Sequence, residues 1–297
     1  MNNKYIINFC LGIILAAAGL SSFAQVNPQG SIYFQNQYLA NPAMAGLNKG
    51  LSLNLGYKNE WNASEGSPVN QSLTAESRFF KKLGLGIALL NDDAGLLKRN
   101  KLTTSLAYHI PLSDPSEHLS FGVSGVLFMQ SLNNEEIIAN PNDPIIIAFQ
   151  NKKNVLDTDF GLAYSKKNIT FQAALYQLKN ILDNNNTVPN EYGLFYISMG
   201  YRWNKQNFSI SPIVSLRGIR DYQDVIDLGT ELGIAENKIK FSALYHTDQS
   251  ATAGISYSYK GKFQILSLYH TASKKLTYST GNTFELAFNL KLFGTSE

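Results

Sequence analysis

The 297-residue sequence has a single cysteine, Cys10, and few charged residues. Charged residues make up 16% of the chain, whereas they make up about 25% of an ordinary soluble domain. One cysteine excludes a disulfide-stabilised scaffold. No apolar run of about 18 residues lies past residue 24, which excludes a bundle of membrane-spanning helices. The formal net charge of +3, without basic clusters, predicts no nucleic-acid partner.

Aromatic residues, in contrast, are abundant. The chain has 17 Phe, 16 Tyr and 2 Trp, and its hydrophobic residues reach 44%. A disordered chain has few aromatic residues and many charges. An aromatic-rich, charge-poor chain whose apolar residues are thinly spread is typical of a large β protein, and it also suits a β protein that faces lipid.

Residues 1–24 have the features of a secretory signal peptide. Lys4 supplies a positive start, residues 6–20 form an apolar stretch, and Ser22 and Ala24 are the small residues of a cleavage site. The alternative is an N-terminal membrane anchor, which the short apolar run and the cleavage site disfavour. Cleavage would leave a mature chain without cysteine and with a net charge of 24 − 22 = +2. So small a charge predicts no electrostatic partner.

From residue 51 onward the dominant pattern has a period of two. Leu51, Leu53 and Leu55 alternate with polar or small residues, and the same alternation returns along the whole chain. Such a pattern indicates strands with one apolar and one polar face. Fourteen segments show it: 50–61, 69–80, 83–90, 100–111, 118–130, 156–166, 168–177, 192–203, 207–217, 225–235, 238–246, 252–260, 262–271 and 282–293. A tilted strand needs about 9–11 residues to cross a membrane.

The connections between these segments alternate in length. Every second connection is a tight turn, as at residues 81–82, 166–168, 204–206, 236–237 and 261. The intervening ones are longer: 62–68, 91–99, 131–155, 178–191, 218–224, 247–251 and 272–281. This rhythm is typical of outer-membrane barrels, which have short periplasmic turns and longer extracellular loops. We therefore predict an all-β fold, a transmembrane antiparallel β-barrel of about 14 strands over residues 50–293.

Aromatic residues cluster towards the ends of the predicted strands. Phe79, Tyr201 and Trp203 approach short turns, and Tyr57 and Tyr176 approach long loops. Two belts at the two membrane interfaces are the usual anchors of a membrane barrel. The alternative is that Tyr and Phe are simply good strand formers. Both interpretations support β structure, but only the belts require lipid.

Residues 25–49, which precede the first strand, are not strand-like. We expect them to form a periplasmic N-terminal segment, either a structured plug or a strap. They contain the motif Asn41-Pro42-Ala43-Met44-Ala45-Gly46. Pro42 disfavours helix at the residue before it, and Gly46 permits a tight turn.

This motif carries a family resemblance. A tyrosine followed by Asn-Pro-Ala-x-Ala-Gly, then a strand ending in Glu60-Trp61, resembles the PorP/SprF family. Gly66, Pro68 and Gln71 continue the resemblance. Four positions depart from the family pattern, because Lys58, Glu60, Ser67 and Asn70 stand where the family has Arg, Gln, Ala and Thr. The motifs cover about 40 residues of this chain.

The resemblance implies an outer-membrane protein of the type IX secretion system and its gliding machinery. It implies a role in secretion or in holding a secreted protein's C-terminal domain at the cell surface. Outer-membrane lipid and other components of the system are the further partners, and no cofactor is implied. The motif residues that could contact a partner are Asn41, Pro42, Ala45, Gly46, Trp61, Gly66, Pro68 and Gln71. The alternative function is a passive outer-membrane channel for small or apolar solutes.

Catalytic motifs are missing from the sequence. It has no Gly-x-Ser-x-Gly elbow, no His-Glu-x-x-His and no phosphate-binding loop. His246 and His270 lie at predicted strand ends. A barrel hydrolase could place a catalytic histidine at such a rim, but interfacial polar residues explain them better. We therefore predict that the protein is not an enzyme and has no metal site.

One long connection is unusually apolar. Residues 131–155 include Ile145, Ile146, Ile147 and Phe149. An apolar run in a polar surface loop has to be covered. Either it folds inward as a lid or it contacts a client protein.

Overall fold

The computed structural model describes residues 31–60, 67–114, 116–132, 154–183, 193–219, 224–271 and 282–293. Within these ranges almost every regular element is a β-strand. No helix among them is long and apolar enough to cross a membrane. The predicted signal peptide, Trp61, Gly66 and the apolar residues Ile145, Ile146, Ile147 and Phe149 lie outside the described residues.

Fifteen strands follow one another along the chain. They are β1 (Leu51–Asn59), β2 (Val69–Phe79), β3 (Leu83–Ala94), β4 (Leu97–Pro111), β5 (Glu117–Leu132), β6 (Val155–Lys166), β7 (Ile169–Leu175), β8 (Gly193–Tyr201), β9 (Trp203–Lys205), β10 (Phe208–Ile219), β11 (Val225–Ile234), β12 (Ile239–His246), β13 (Ala251–Tyr259), β14 (Phe263–His270) and β15 (Thr283–Leu292). A short helix, α1 (Leu178–Asp183), follows β7.

The strands close into a barrel. Each pairs antiparallel with its neighbours in sequence, and β1 pairs with β15 along nine residue pairs, from Leu51 opposite Leu292 to Asn59 opposite Phe284. The three-residue β9 continues β8 after Arg202, so the barrel has 14 strand positions. Closure leaves no strand edge unpaired, which a β structure needs in order to cross hydrocarbon. The predicted fold class is confirmed.

The two faces of the wall have opposite polarity. Large apolar side chains such as Leu55, Ile87 and Ile255 are exposed on the outer face. The alternate positions, among them Thr74, Ser124 and Asp227, are polar and buried. This is the reverse of a soluble protein, and it fits a wall with lipid outside and a polar lumen inside.

The strand boundaries agree closely with the predicted segments, with two differences. Residues 91–99 are not a long loop, because β3 and β4 extend through them to a tight turn at Gly95, where φ is +57°. Tyr176 is not part of an outer belt. It is buried, and its hydroxyl donates to the carbonyl oxygen of Ala40. Aromatic residues such as Tyr201, Trp203 and Tyr245 are exposed on the outer face.

The barrel has two unlike ends. We call the short-turn end the one formed by the turns after β2, β4, β6, β9, β11 and β13, together with residues 47–50 before β1 and the end of β15. The long-loop end is formed by the connections after β1, β3, β5, β7, β10, β12 and β14. This antiparallel arrangement places all the connections of one kind at the same end.

Candidate functional site: a plugged lumen

The segment Ser31–Gly46 lies inside the barrel. It forms three successive 3-10 turns, Ile32–Phe34, Gln37–Leu39 and Pro42–Met44. Tyr33, Asn41 and Ala43 are at most 1% exposed. The segment contacts residues on strands all around the wall, from β2 to β15. We call Ser31–Gly46 the plug.

The plug runs from one end of the barrel to the other. Ser31 contacts Thr252 and Glu285, which lie one and two residues from the long-loop ends of their strands. Gly46 contacts Glu76, close to the short-turn end of β2. A barrel of 14 strands has an interior wider than its own side chains fill, so the plug occupies space that the wall leaves.

The Asn-Pro-Ala motif forms the plug's last turn. The Asn41 side chain accepts a hydrogen bond from the Ala43 amide at 2.9 Å and caps the turn, and Pro42 occupies its first position. Asn41 Nδ2 also donates to the carbonyl oxygen of Leu162 on β6 at 3.0 Å. One asparagine therefore fixes the turn and attaches it to the wall.

Small residues on the wall let this turn approach closely. A Cβ added to Gly122 would overlap the backbone of Pro42 and Ala43, and one added to Gly84 would overlap the Ala45 carbonyl. Gly161 lies equally close to Asn41. These three glycines face the plug because only a residue without a side chain leaves room for its backbone.

His109 and Arg78 complete the attachment at the short-turn end. His109 Nε2 donates to the Ala45 carbonyl oxygen at 3.0 Å, and its Nδ1 accepts from Ser120 at 2.8 Å. Arg78 Nε donates to the Gly46 carbonyl oxygen at 3.0 Å, and Glu76 accepts from the Gly46 amide at 2.9 Å. Gly46 has a φ of +62°, which glycine adopts at little cost.

The other half of the plug is held by charged and aromatic side chains. The Tyr33 hydroxyl donates to Asp227 Oδ2 at 2.6 Å. Arg217 donates to both oxygens of the same carboxylate, at 2.7 and 2.8 Å, and its guanidinium lies 5.3 Å from the centre of the Tyr33 ring. Tyr196 packs edge-on against Tyr33 at 5.7 Å.

A chain of hydrogen bonds extends from Asp227 across the wall. His246 Nδ1 donates to Asp227 Oδ1 at 2.6 Å, and its Nε2 lies 2.8 Å from Thr252 Oγ1. Thr252 Oγ1 is also 2.7 Å from His270 Nδ1, and His270 Nε2 donates to Glu285 at 3.0 Å. Glu285 in turn accepts from the Ser31 amide of the plug at 3.2 Å.

The chain has an acidic side chain at each end, Asp227 and Glu285, and Thr252 lies between the two histidines. Every ring nitrogen of His246 and His270 is engaged in this chain, which accounts for both residues structurally.

Charged residues also surround the remaining free space. A small cavity, partly open to solvent, lies between the plug, β1–β4 and β15. It is lined by apolar Ile32, Leu39 and Leu90 together with Lys58, Asp92, Arg99, Lys101 and Glu285. Lys58 pairs with Glu60, Arg99 with Asp92 at 3.3 Å, and Lys101 with Asp159 at 3.7 Å. Nowhere in the described part of the chain does a group of three or more His, Cys, Asp or Glu form a possible metal site.

The residues singled out in the sequence lie in two places. Asn41, Pro42, Ala45 and Gly46 are buried in the plug. Pro68 accepts a hydrogen bond from the Glu60 amide at 2.9 Å at the long-loop end of the β1–β2 hairpin, and Gln71 is exposed on the outer face opposite Tyr57. Asp227 and its partners Tyr33 and Arg217 were not among the residues singled out in the sequence. A buried aspartate beside an arginine has no local sequence signature, because the partners come from different strands.

Comparison with known proteins identifies the family. The family model of the type IX secretion system membrane protein PorP/SprF matches residues 22–290. The chain belongs to the PorP/SprF family. The match spans the residues of both the plug and the barrel. PorP/SprF proteins belong to the type IX secretion system, and this one is an outer-membrane protein.

Solved structures support the fold of this PorP/SprF protein. The CymD monoaromatic hydrocarbon channel matches with a TM-score of 0.52 and 11% identity, covering 94% of this chain and 96% of the channel. The Acinetobacter baumannii outer membrane protein Omp33 matches with a TM-score of 0.48 and 8% identity, covering 83% of this chain and 100% of Omp33. At such identities the likeness to CymD shows the barrel fold alone. A search of curated proteins finds no match to the sequence.

Proposed function

We propose that this PorP/SprF barrel is a plugged scaffold that holds the C-terminal domain of a secreted protein at the cell surface. The family match supports a role in type IX secretion. The observation that carries the scaffold role is the plug, which joins strands on all sides of the lumen. The long-loop end is the side that would face the client.

The plug favours a scaffold over an open pore. A passive channel needs a continuous aqueous path, whereas Tyr33, Asn41 and Ala43 are almost completely buried between the plug and the wall. The buried Asp227 carboxylate would be costly to expose or to leave unpaired. A plug that is attached to the wall at both ends of the lumen is suited to keeping the barrel rigid while its loops bind a partner.

We further propose that Ile145, Ile146, Ile147 and Phe149 form the contact with the client. They lie in the connection between β5 and β6, which is on the long-loop end. An apolar run in a connection of this kind has to be covered, and a partner surface would cover it. The plug residues Asn41, Pro42, Ala45 and Gly46 would then support the barrel from within, while Pro68 and Gln71 lie at the end that the client approaches.

The test is a gene deletion complemented with variants. Deletion should remove the client from the cell surface and release it into the medium or leave it in the periplasm. A barrel with Ile146→Asp and Phe149→Asp should reach wild-type levels in the outer membrane but fail to retain the client. A barrel with Lys179→Gln, an exposed change at the same end, is the matched control. Full export and attachment in the deletion strain would contradict the proposal.

Co-purification gives an independent measure. The wild-type barrel, extracted in mild detergent, should bring with it a protein that ends in the system's C-terminal domain. The Ile146→Asp and Phe149→Asp variant should recover that protein at a level reduced by about tenfold or more, which corresponds to about 1.4 kcal/mol of binding free energy. Other components of the secretion system should remain associated if they bind at the short-turn end.

The cavity beside the plug favours transport as the second candidate function. Its apolar and charged lining, with Ile32 and Leu39 facing Lys58 and Arg99, could admit a small solute. Planar bilayer recordings decide between the two functions. The wild-type barrel should show no steady conductance if it is a scaffold, and a stable open channel would favour transport.

A further inference from the structure

Among the residues that the structure describes, most of the exposed Lys and Arg side chains lie at the short-turn end of the barrel. Eleven exposed Lys and Arg residues of the described chain lie there, among them Lys81, Lys82, Lys166, Lys167, Lys260 and Lys262. Only three acids, Asp114, Glu117 and Glu236, lie among them, so the net charge of this end is about +8. At the long-loop end, Lys179 is the one exposed cation within the described residues, and Asp224 is exposed at the same end.

The charges are distributed around the circumference. Lysine or arginine lies at the turns after β2, β6, β9, β11 and β13, and Lys49 and Lys291 lie beside the first and last strands. The turn after β4 is the exception, with Asp114. A folded protein partner would contact one sector of such a ring, whereas lipid head groups surround a barrel on all sides.

Several of these cations lie along the outer wall. Lys205 Nζ is 5.1 Å from the centre of the Trp203 ring, and Lys260 Nζ is 5.3 Å from that of Tyr259. Both rings face outward and are 45% and 51% exposed. These ammonium groups are therefore at the level of the aromatic residues, on the lipid side and away from the mouth of the lumen.

This arrangement matches the chemistry of a membrane surface. Aromatic rings of membrane proteins lie at the level of the lipid head groups, and long basic side chains extend to that same level. A hydrogen bond from Lys238 to Glu236 raises the pKa of that lysine, so it stays cationic at neutral pH. Each basic residue near an anionic lipid surface adds about 1 kcal/mol of attraction.

We propose that the short-turn end binds the phosphate groups of anionic lipids in the adjacent membrane leaflet. The ring of cations and the rings beside them form the binding surface. Binding there would fix the depth and tilt of the barrel in the membrane. It would also make the short-turn end favour a leaflet that contains anionic lipids. The proposal does not depend on the identity of a client, because the cations lie at the end opposite the long loops.

Native mass spectrometry of the full mature barrel tests this. The probes are phosphatidylglycerol and phosphatidylcholine, added at equal amounts to barrel in neutral detergent. The wild type should retain phosphatidylglycerol with about a tenfold preference. A variant with Lys81, Lys82, Lys205, Lys260 and Lys262 replaced by Gln should lose that preference, because each replacement removes one attraction. Arginine at the same five positions should keep it.

Matched controls separate the outcomes. Lys98→Gln with Lys179→Gln, two changes at the long-loop end, should leave the preference unchanged. A difference in gel mobility between unheated and heated samples should show that every variant still folds. Inorganic phosphate at millimolar concentration should not displace the lipid, since a single phosphate engages too few lysines.

Three results would overturn the proposal. The wild type could show equal retention of the two lipids, or the glutamine variant could retain the full preference. A soluble polyglutamate peptide could bind the wild type and displace phosphatidylglycerol completely. That last result would assign the cations to an acidic protein partner.

Discussion

The two halves of the plug are fastened by different chemistry. Ser31–Leu39 is held by charged and aromatic side chains, with Asp227, Arg217 and Tyr33 at the centre. Asn41–Gly46 packs its backbone against glycines of the wall, as at Gly122, and His109, Arg78 and Glu76 hydrogen-bond its last residues. The first half depends mainly on side-chain electrostatics in a closed space, and the second depends on close backbone packing as well as on polar side chains.

This difference decides what a sequence reveals. Shape complementarity needs a specific local backbone, so Asn41-Pro42-Ala43 and Gly46 stand together as a visible motif. The electrostatic half joins residues that are far apart, because Tyr33 and Asp227 are separated by 194 positions and Ser31 and Glu285 by 254. No local pattern records such a pair.

Removing the central carboxylate should have the largest effect. Asp227→Ala leaves the buried guanidinium of Arg217 without its carboxylate, which costs about 3–5 kcal/mol. Unfolding in urea can be followed as the loss of the folded band in gels of unheated samples. The urea concentration at the midpoint of this unfolding should be lower for Asp227→Ala than for the wild type. Asp224→Ala, an exposed change three residues earlier, is the control and should leave the midpoint unchanged. Equal midpoints for both variants would show that electrostatics does not hold this half.

A single methyl group should disturb the other half. Gly122→Ala places a Cβ against the backbone of Pro42 and Ala43, and overpacking of this kind costs about 1–3 kcal/mol. Gly125→Ala on the same strand meets only the Thr104 hydroxyl oxygen at 3.6 Å, so it should be close to neutral. The same urea titration measures both. If the two alanines behave alike, close backbone approach is not what fastens the motif.

The barrel itself was largely predictable. Apolar and polar residues alternate along strands such as β1 and β5 because one face meets lipid and the other meets a polar lumen. Each strand can therefore be recognised from its own residues. The prediction of a long loop at residues 91–99 was wrong because strands can extend beyond the membrane. There the alternation of apolar and polar side chains weakens. There Asn91, Asp92 and Asp93 are all polar, yet they pair across β3 and β4.

The lumen was less predictable. Tyr176 was expected in an outer belt, but the face that a residue takes at a strand end depends on where the strand stops, and β7 ends at Leu175. The net charge of the chain predicted no electrostatic partner, yet a sum over the chain cannot show that eleven exposed cations of the described residues lie at the short-turn end. That division depends on strand direction and becomes visible only once the turns are assigned to one end.

The capping asparagine should rank third in effect. Asn41→Ala removes the cap on the Ala43 amide and the bond to Leu162, and loss of a cap costs about 0.5–2 kcal/mol. Limited proteolysis of the folded barrel should then cut the plug faster, because the last turn loses its attachment. Asn48→Ala, exposed just after the plug, serves as the control. Unchanged cleavage would place the stability of this half in the glycine contacts alone.

The smallest effect should come from the tyrosine hydroxyl. Tyr33→Phe keeps the ring against Tyr196 and Arg217 and removes one hydrogen bond to Asp227. A hydrogen bond to a charged group contributes about 1.5–3 kcal/mol, and we expect a loss at or below the lower end of that range. The carboxylate keeps its bonds from Arg217 and His246, so the loss stays small. Tyr201→Phe on the outer face is the matched control. If Tyr33→Phe lowered the urea midpoint as much as Asp227→Ala, the Tyr33 hydroxyl, and not the Arg217–Asp227 ion pair, would hold this half of the plug. The charges of the wall would then be balanced without the plug.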